Sequence, residues 1–455
     1  MSISIIIKKT VNRYKNSNPR TKRAIENSIL SLLVKFVSVI CSLIIVPLTL
    51  GYINPTRYGI WLTLSGIIGW VHFFDLGLGN GFRNRFAEAK AKGDNSLAQE
   101  YVSTTYFAIG SIVLVVYSIA LIVNHFVDWT DILGVEDSFQ EELRKVFAVV
   151  LSFICLNMVV NLFATLLTAD QKNGYASIIG GAGQVLSVIV IYILTKVSNG
   201  SLLNLALYYS SIPCILMLVV SLYMYNFSTY KIYRPTFRRI RPYLIKNLLG
   251  LGINFFVIYI CMILVFQLVN IVISREIGPE GVSIYNVAYK YFNILYMTII
   301  IFVTPYWSAF TEAYTQHDFS WMKATLKKLD WGLNISVLIA FIMLPIAPLF
   351  YKYWIGNQLE VPFVVSFALM ALIIATNYAV VYMYIINGIG TIRIQLIAYI
   401  LSAAISWPIL VASCRLFGLP GIVVMPASCY LIQAVLARIQ LKKIMDKTAK
   451  GMWLK

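Results

Sequence analysis

Long apolar segments alternate with short polar segments along the whole chain. Each apolar segment has about 20 residues, enough for a helix to cross the roughly 30 Å hydrocarbon core of a bilayer. Barrel strands would be about 10 residues long and would alternate in polarity, which these segments do not. The pattern therefore predicts an all-α integral membrane protein.

We divide the apolar pattern into twelve predicted transmembrane helices, called spans 1 to 12. Six spans would form each half of the molecule, and both chain ends would lie on the same side of the membrane. The approximate bounds are 25–50, 58–82, 101–124, 146–168, 174–195, 202–225, 248–273, 282–305, 331–351, 361–386, 394–414 and 420–437.

The basic residues orient these spans. Of the 37 Lys and Arg residues, we place 28 on one side of the membrane, 7 on the other and 2 inside it. Cytoplasmic loops carry the excess of positive charge, so we expect both termini in the cytoplasm. The resulting division is a basic tail at 1–24, a six-span half with its connecting loop at 25–246, a second half at 247–440 and a basic tail at 441–455. We expect the tails to contact anionic lipids.

Composition narrows the class of protein further. A chain that is 59% hydrophobic and 12% charged has too few polar side chains to cover a water-soluble surface. The net charge of +18 is explained by membrane orientation and does not indicate a nucleic acid partner. The six cysteines form no CxxC pair and the three histidines lie in separate segments, so we predict no disulfide, no metal site and no resident cofactor.

An internal repeat relates the two halves. Shifting the stretch that begins at Gly51 by 224 positions superimposes Pro55 on Pro279, Phe86 on Phe310 and Asp94 on Asp318, without a gap. Because six spans separate equivalent positions, the halves share one topology and should be related by a pseudo-two-fold axis along the membrane normal. A cavity between the halves is the expected consequence.

Two lysines stand out as candidate binding residues. Lys35 lies about ten residues into span 1 and Lys290 about nine residues into span 8, which places each roughly 15 Å deep at 1.5 Å per residue. A charge at this depth costs at least about 2.5 kcal/mol. Either the two ammonium groups face an aqueous cavity and attract an anion such as phosphate, or each is paired structurally or bends toward the nearer membrane surface.

Asp75 and Arg83 are candidates for gating or for coupling to an ion. Asp75 lies near the end of span 2, within the sequence DLGLGNG, and Arg83 follows. The glycines do not form a nucleotide site, because their spacing is GxGxG and no strand precedes them. A structural salt bridge is the alternative role for Asp75.

The motifs GYINPTRYGIW, DLGLGN and FAEAKAKGD resemble those of polysaccharide flippases in the multidrug/oligosaccharidyl-lipid/polysaccharide exporter superfamily, specifically the bacterial O-antigen translocases. The matching residues are Gly51, Pro55, Tyr58, Gly59, Asp75, Leu76, Gly77 and Glu88.

This resemblance implies two six-helix bundles arranged as a V in the bacterial inner membrane. They would pass the head of a polyprenyl-diphosphate-linked oligosaccharide to the periplasmic leaflet by alternating access, driven by an ion such as H⁺ or Na⁺. Family cavities are cationic and are lined by spans 1, 2, 7 and 8, which include Lys35 and Lys290. Glycosyltransferases and a glycan polymerase of lipopolysaccharide synthesis are the implied partners.

The sequence leaves two other functions as alternatives. A drug or metabolite antiporter of the same superfamily should carry intramembrane acids for cationic substrates, whereas the deep charges here are lysines. A membrane glycan polymerase or ligase should carry a large outer loop with catalytic acids, and the longest outer loop has only about 20 residues, a fraction of one small domain.

Overall fold

The computed structural model describes residues 19–75, 77–249 and 260–454, which are helical and contain no strand. Within these ranges, ten segments are long and apolar enough to cross a membrane. The helices are α1 (Pro19–Gly69), α2 (Leu78–Ala91), α3 (Asn95–Phe126), α4 (Trp129–Leu133), α5 (Gln140–Val160), α6 (Leu162–Ala169), α7 (Asn173–Val197), α8 (Leu202–Phe227), α9 (Leu244–Leu249), α10 (Leu268–Glu276), α11 (Pro279–Thr315), α12 (Phe319–Ile355), α13 (Phe363–Ile389), α14 (Arg393–Phe417) and α15 (Val424–Met445).

These ten segments correspond to eleven of the twelve predicted spans. The segment Leu33–His72 contains spans 1 and 2, and span 7 lies only partly within the described residues. In the first half α1 packs on α7 and α5 packs on α8, while in the second half α13 packs between α11 and α15. The prediction of an all-α membrane protein with twelve spans in two bundles is confirmed. Most of the predicted N-terminal tail lies outside the described residues.

Spans 1 and 2 are joined by one residue rather than by the expected seven-residue turn. Asn54 has φ 66° and ψ 165°, and it is the one non-helical residue inside α1. Its side chain accepts a hydrogen bond from the Arg57 backbone N–H at 3.0 Å, as an N-cap does. Pro55 then occupies the first helical position, where its missing N–H is tolerated. The chain therefore reverses within α1.

Span 2 also ends earlier than predicted. A 3-10 segment, Trp70–Asp75, follows α1, and Gly77 adopts φ 77° before α2 begins. The equivalent stretch of the second half is continuous within α11, where Ile301 occupies the position of Gly77. A left-handed backbone favours glycine, so only the first half carries this break.

The repeat is visible in how equivalent helices begin. Asp94 caps α3 by accepting from Leu97 N–H at 2.9 Å, and Asp318 caps α12 by accepting from Trp321 N–H at 3.0 Å. The residues just before these caps, Gly93 and His317, both have positive φ. The 224-residue offset therefore relates local backbone geometry as well as sequence.

The two ends of the bundle differ in charge. We call the end with loops 51–57, 127–139 and 275–281 the acidic end, and the end with loops 92–94, 170–172, 228–243, 316–318 and 446–450 the basic end. At the basic end Asp170 ties three segments together, since its carboxylate pairs with Lys90 and with Lys172 and accepts from the Tyr230 hydroxyl at 2.6 Å. Burial opposes ionisation of Asp170, but the hydrogen bonds from Lys90 and Tyr230 hold its pKa below the ordinary value.

The halves meet at the acidic end through a contact that is repeated by the pseudo-two-fold axis. A methyl group on Gly59 would lie 1.6 Å from the carbonyl oxygen of Pro279. Reciprocally, the Ser283 hydroxyl donates to the carbonyl oxygen of Pro55. Pro55 and Pro279 are repeat-equivalent, and so are Gly59 and Ser283. A contact in which each partner touches the equivalent of the other is what two-fold symmetry produces.

We expect Gly59→Ala to weaken this contact, because the added methyl group must displace backbone. Overpacking of this kind costs about 1–3 kcal/mol, so the thermal unfolding midpoint in detergent should fall. Gly66→Ala is the matched control, since it lies two turns further along α1 and a methyl group there meets no atom within 4 Å. Equal midpoints for the two variants would contradict the close approach at Gly59.

Candidate functional site

The face of α1 that meets the other half at Gly59 borders open space two helical turns further on. Gly66 lies seven residues further along the same face of α1, about 10 Å toward the basic end at 1.5 Å per residue. No atom lies within 4 Å of a methyl group built there. The repeat-equivalent of Gly66 is Lys290. We expect the space between these two positions to belong to the cavity predicted between the halves, and we call it the central cleft.

Further contacts close the cleft at the acidic end. Ser274 donates to the Leu133 carbonyl at 2.5 Å, and the Trp354 indole donates to the Leu43 carbonyl at 2.7 Å. Arg275 lies 4.0 Å from a carboxylate oxygen of the other half. Polar contacts that join the halves in the described part of the chain thus gather toward the acidic end.

Lys290 lies on the face of α11 that is directed at the other half. It is seven residues beyond Ser283, which is nearly two full turns at 100° per residue, so the two side chains share a direction. Val287 and Ala288, which precede it on α11, are fully buried. Lys290 itself is partly exposed, and no acid of the described residues lies within ion-pair distance of it.

Lys35 is exposed on α1 but does not belong to its lipid-facing stripe. Leu33, Phe36, Ile40 and Ile44 are exposed and recur at helical spacing, as expected for a surface in contact with lipid. At 100° per residue Lys35 lies about 150° from the centre of that stripe. Its charge is therefore directed away from the lipid side, and it too has no acid partner among the described residues.

The two lysines are not related by the repeat. The equivalent of Lys290 is Gly66, and the equivalent of Lys35, position 259, lies outside the described residues. Lys290 thus extends its side chain near the pseudo-two-fold axis, opposite a position that has no side chain. Gly66 was missed by sequence reasoning, although the 224-residue offset could have identified it.

Asp75 forms a local turn rather than the salt bridge considered from the sequence. Its carboxylate accepts from the Gly77 N–H at 2.8 Å, and no base of the described residues lies within ion-pair distance. It borders a cavity of about 120 Å³ inside the first half. The polar side chains that line this cavity are His72, Asp75, Asn157, Asn161 and Thr165.

Arg83 lies apart from this cavity. It is exposed on α2, near the basic end, and makes no ion pair with the described residues. Its neighbour Arg85 instead pairs with Glu88 at 2.9 Å. The structure therefore does not bring Asp75 and Arg83 together.

Tyrosines along α11 serve mainly in packing. Tyr285 and Tyr291 are buried, and Tyr291 donates to the Met343 carbonyl at 3.0 Å. Tyr285 and Tyr289 stack with ring centroids 6.0 Å apart. Helix packing thus accounts for the aromatic crowding that is visible in the sequence.

A protein family and one of its relatives match the sequence of this chain. A family model described as "Polysaccharide biosynthesis protein" matches residues 24–310. The chain belongs to this family. It is also 22% identical over 316 residues to a "Putative O-antigen export protein" from Yersinia pseudotuberculosis, covering 68% of this chain and 70% of that protein.

Solved structures of transporters share the fold of this family member. A multidrug resistance MATE family transporter of the MOP superfamily in an inward-facing conformation superimposes with a TM-score of 0.74 at 15% identity, covering 93% of this chain and 100% of that chain. An outward-facing conformation of such a transporter gives a TM-score of 0.64 at 16% identity, with 96% and 98% covered. The chain therefore combines membership of the polysaccharide biosynthesis protein family with the fold of these transporters.

We expect Lys290→Met to leave the protein at least as stable as the wild type. An unpaired charge within a membrane span is unfavourable, so its removal should leave the free energy of unfolding unchanged or raise it by at most about 3 kcal/mol. Thermal unfolding in detergent measures the effect.

Lys90→Met is the contrasting variant, because it removes the partner of a buried carboxylate and should lower the free energy of unfolding by about 1–3 kcal/mol. If Lys290→Met were as destabilising as Lys90→Met, Lys290 would have a structural role.

Proposed function

We propose that this protein is a flippase that moves a polyprenyl-diphosphate-linked oligosaccharide, such as an O-antigen unit, across the bacterial inner membrane. The observation that supports the proposal most directly is the position of Lys290. An unpaired lysine faces the central cleft near the pseudo-two-fold axis, where a single charge can be reached from both halves. The membership of the polysaccharide biosynthesis protein family and the similarity to an O-antigen export protein point to the same class of substrate.

The chemistry of the substrate explains what the cleft must provide. The diphosphate and sugars cannot enter hydrocarbon without losing their hydration, which costs several kcal/mol for each uncompensated polar group. A wet cleft between two bundles keeps the head group solvated, while the polyprenyl chain stays in the lipid. Ammonium groups at Lys35 and Lys290 compensate the phosphate charge, since charge-assisted hydrogen bonds are about twice as strong as neutral ones.

The present arrangement of the halves fits one step of an alternating-access cycle. With the basic end in the cytoplasm, a cleft closed at the acidic end is open to the cytoplasmic side, where the substrate would enter. The TM-score is higher for the inward-facing transporter than for the outward-facing one, which supports the same assignment. Transport then requires that the contacts at Gly59 and Ser283 break while new ones form at the basic end.

Coupling of this cycle to H⁺ or Na⁺ would involve the Asp75 cavity. A carboxylate surrounded by amide and hydroxyl oxygens offers ligands suited to a small hard cation or a site for a proton. Arg83 stays a candidate for gating at the basic end. We place glycosyltransferases and a glycan polymerase as partners because they would supply and consume the lipid-linked substrate.

A drug antiporter is the second candidate that the fold permits. The charge of the cleft argues against it, because cationic drugs would be repelled by Lys35 and Lys290. Binding of an anionic rather than a cationic substrate distinguishes the two functions.

We expect Lys35→Glu and Lys290→Glu each to reduce translocation of a fluorescent polyprenyl-diphosphate-linked oligosaccharide in proteoliposomes. Loss of one charge-assisted contact with phosphate should lower the rate at subsaturating substrate by about tenfold or more. Lys231→Glu, on the exposed loop between the halves, is the control and should keep the wild-type rate.

A rescue variant tests whether the position on the axis is what matters. Lys290→Gly combined with Gly66→Lys moves the ammonium group to the repeat-equivalent site and should restore transport. Wild-type rates in both glutamate variants would remove the lysines from the mechanism, and a folded but unrescued double variant would show that Lys290 acts by a local contact instead.

We also expect cysteines introduced along the cleft to react with a membrane-impermeant thiol reagent at rates that depend on their position. Met297→Cys, seven residues beyond Lys290 on the same face, should be labelled quickly from the basic end, whereas Ser283→Cys should be protected. The six native cysteines of the chain are buried and should give little background. Rapid labelling of Ser283→Cys from the acidic end alone would contradict an inward-open resting state.

A further inference from the structure

A second basic cavity lies outside the central cleft, between α12 and α15 at the basic end. It has a volume of about 380 Å³, within the range of about 300–1,000 Å³ that is typical of small-molecule pockets. Four bases, two acids and two apolar side chains form its lining. They are Lys323, Lys327, Arg438, Lys442, Asp330, Asp446, Leu326 and Met445.

Two of the four bases neutralise the two acids. Lys323 lies 2.7 Å from Asp446, and Arg438 lies 2.7 Å from Asp330. The hydrogen bond from Lys323 lowers the pKa of Asp446 below its ordinary value, so this carboxylate stays ionised at neutral pH. The Tyr382 hydroxyl also donates to Asp330, at 2.9 Å. The acids are therefore fully engaged.

The other two bases, Lys327 and Lys442, have no such partner. No acid in the described part of the chain lies within ion-pair distance of either side chain. The neighbouring Lys443 and Lys447 are directed elsewhere, over the rings of Trp453 at 4.1 Å and of Phe319. The cavity thus carries two uncompensated positive charges that come from two different helices.

The surroundings of the cavity indicate which anion it would take. Leu326 and Met445 are buried apolar side chains at its wall. The cavity lies at the ends of two membrane-spanning helices, at the level where lipid head groups are expected. Basic pockets between transmembrane helices on the cytoplasmic side commonly bind anionic head groups.

We propose that this cavity binds a phosphate group, that of an anionic phospholipid, and that the lipid joins α12 to α15 at the basic end. Lys327 and Lys442 contact the phosphate from opposite sides, while the pairs Lys323–Asp446 and Arg438–Asp330 hold the walls in place. Free phosphate shares this chemistry and is the other source of the anion. The proposal does not depend on the flippase function.

Thermal unfolding of the full chain in detergent tests the proposal. Dioctanoyl-phosphatidylglycerol, dioctanoyl-phosphatidylcholine and inorganic phosphate are titrated separately. We expect the glycerol lipid to raise the unfolding midpoint of the wild type and the choline lipid to have no effect. Lys327→Gln combined with Lys442→Gln should weaken the apparent affinity for the glycerol lipid by about tenfold or more.

The matched control is Lys328→Gln combined with Lys450→Gln. It removes the same charge from exposed lysines that do not line the cavity, and it should keep the affinity within about twofold, or 0.4 kcal/mol. Stabilisation of the wild type by inorganic phosphate, lost in the same cavity variant, would support the site and assign it to free phosphate. Absence of stabilisation by either anion, or equal losses in the two double variants, would overturn the proposal.

Discussion

The crossed contact at the acidic end is the constraint on which the rest of the structure depends. Pro55 and Gly59 of one half meet Ser283 and Pro279 of the other, so that each half presents the same two positions to its partner. Glycine permits the backbone of α1 to approach the start of α11 without an intervening side chain. A methyl group on Gly66, two turns further along α1, would meet no atom within 4 Å, so the close approach at Gly59 does not extend to Gly66.

The duplication explains why the two halves share one helical framework, whereas the candidate functional residues lie at positions where the halves differ. Equivalent caps at Asp94 and Asp318 keep the helical framework symmetric. The positions that differ are those with a candidate role: Lys290 stands where the first half has Gly66, and Asp75 and Gly77 break a helix that is continuous in the second half. A single lysine near the axis avoids the repulsion that two symmetric ammonium groups would create.

The placement of charge follows the needs of a membrane protein. Basic residues gather at one end, where they orient the chain and, between α12 and α15, leave two lysines uncompensated. Within the membrane, Lys35 is directed away from the lipid-facing stripe of α1 and Lys290 toward the other half, as the cost of a charge in hydrocarbon favours. Buried carboxylates such as Asp170 are paired instead, which assigns them to stability.

The sequence by itself determined the class of protein, the number of spans and the repeat, and it identified two lysines as unusual. Hydrophobic length and basic loops are local properties, and a charge inside an apolar run is conspicuous in any fold. Tertiary structure decided the directions of the Lys35 and Lys290 side chains, the turn that Asp75 forms in place of a salt bridge, and the close approach of the halves at Gly59. Each depends on how closely two helices from different halves approach. The sequence around one residue does not show how near it lies to a residue more than 200 positions away. The cavity between α12 and α15 was missed for the same reason, since Lys327 and Lys442 have the pattern of ordinary surface charges until packing brings them to one cavity.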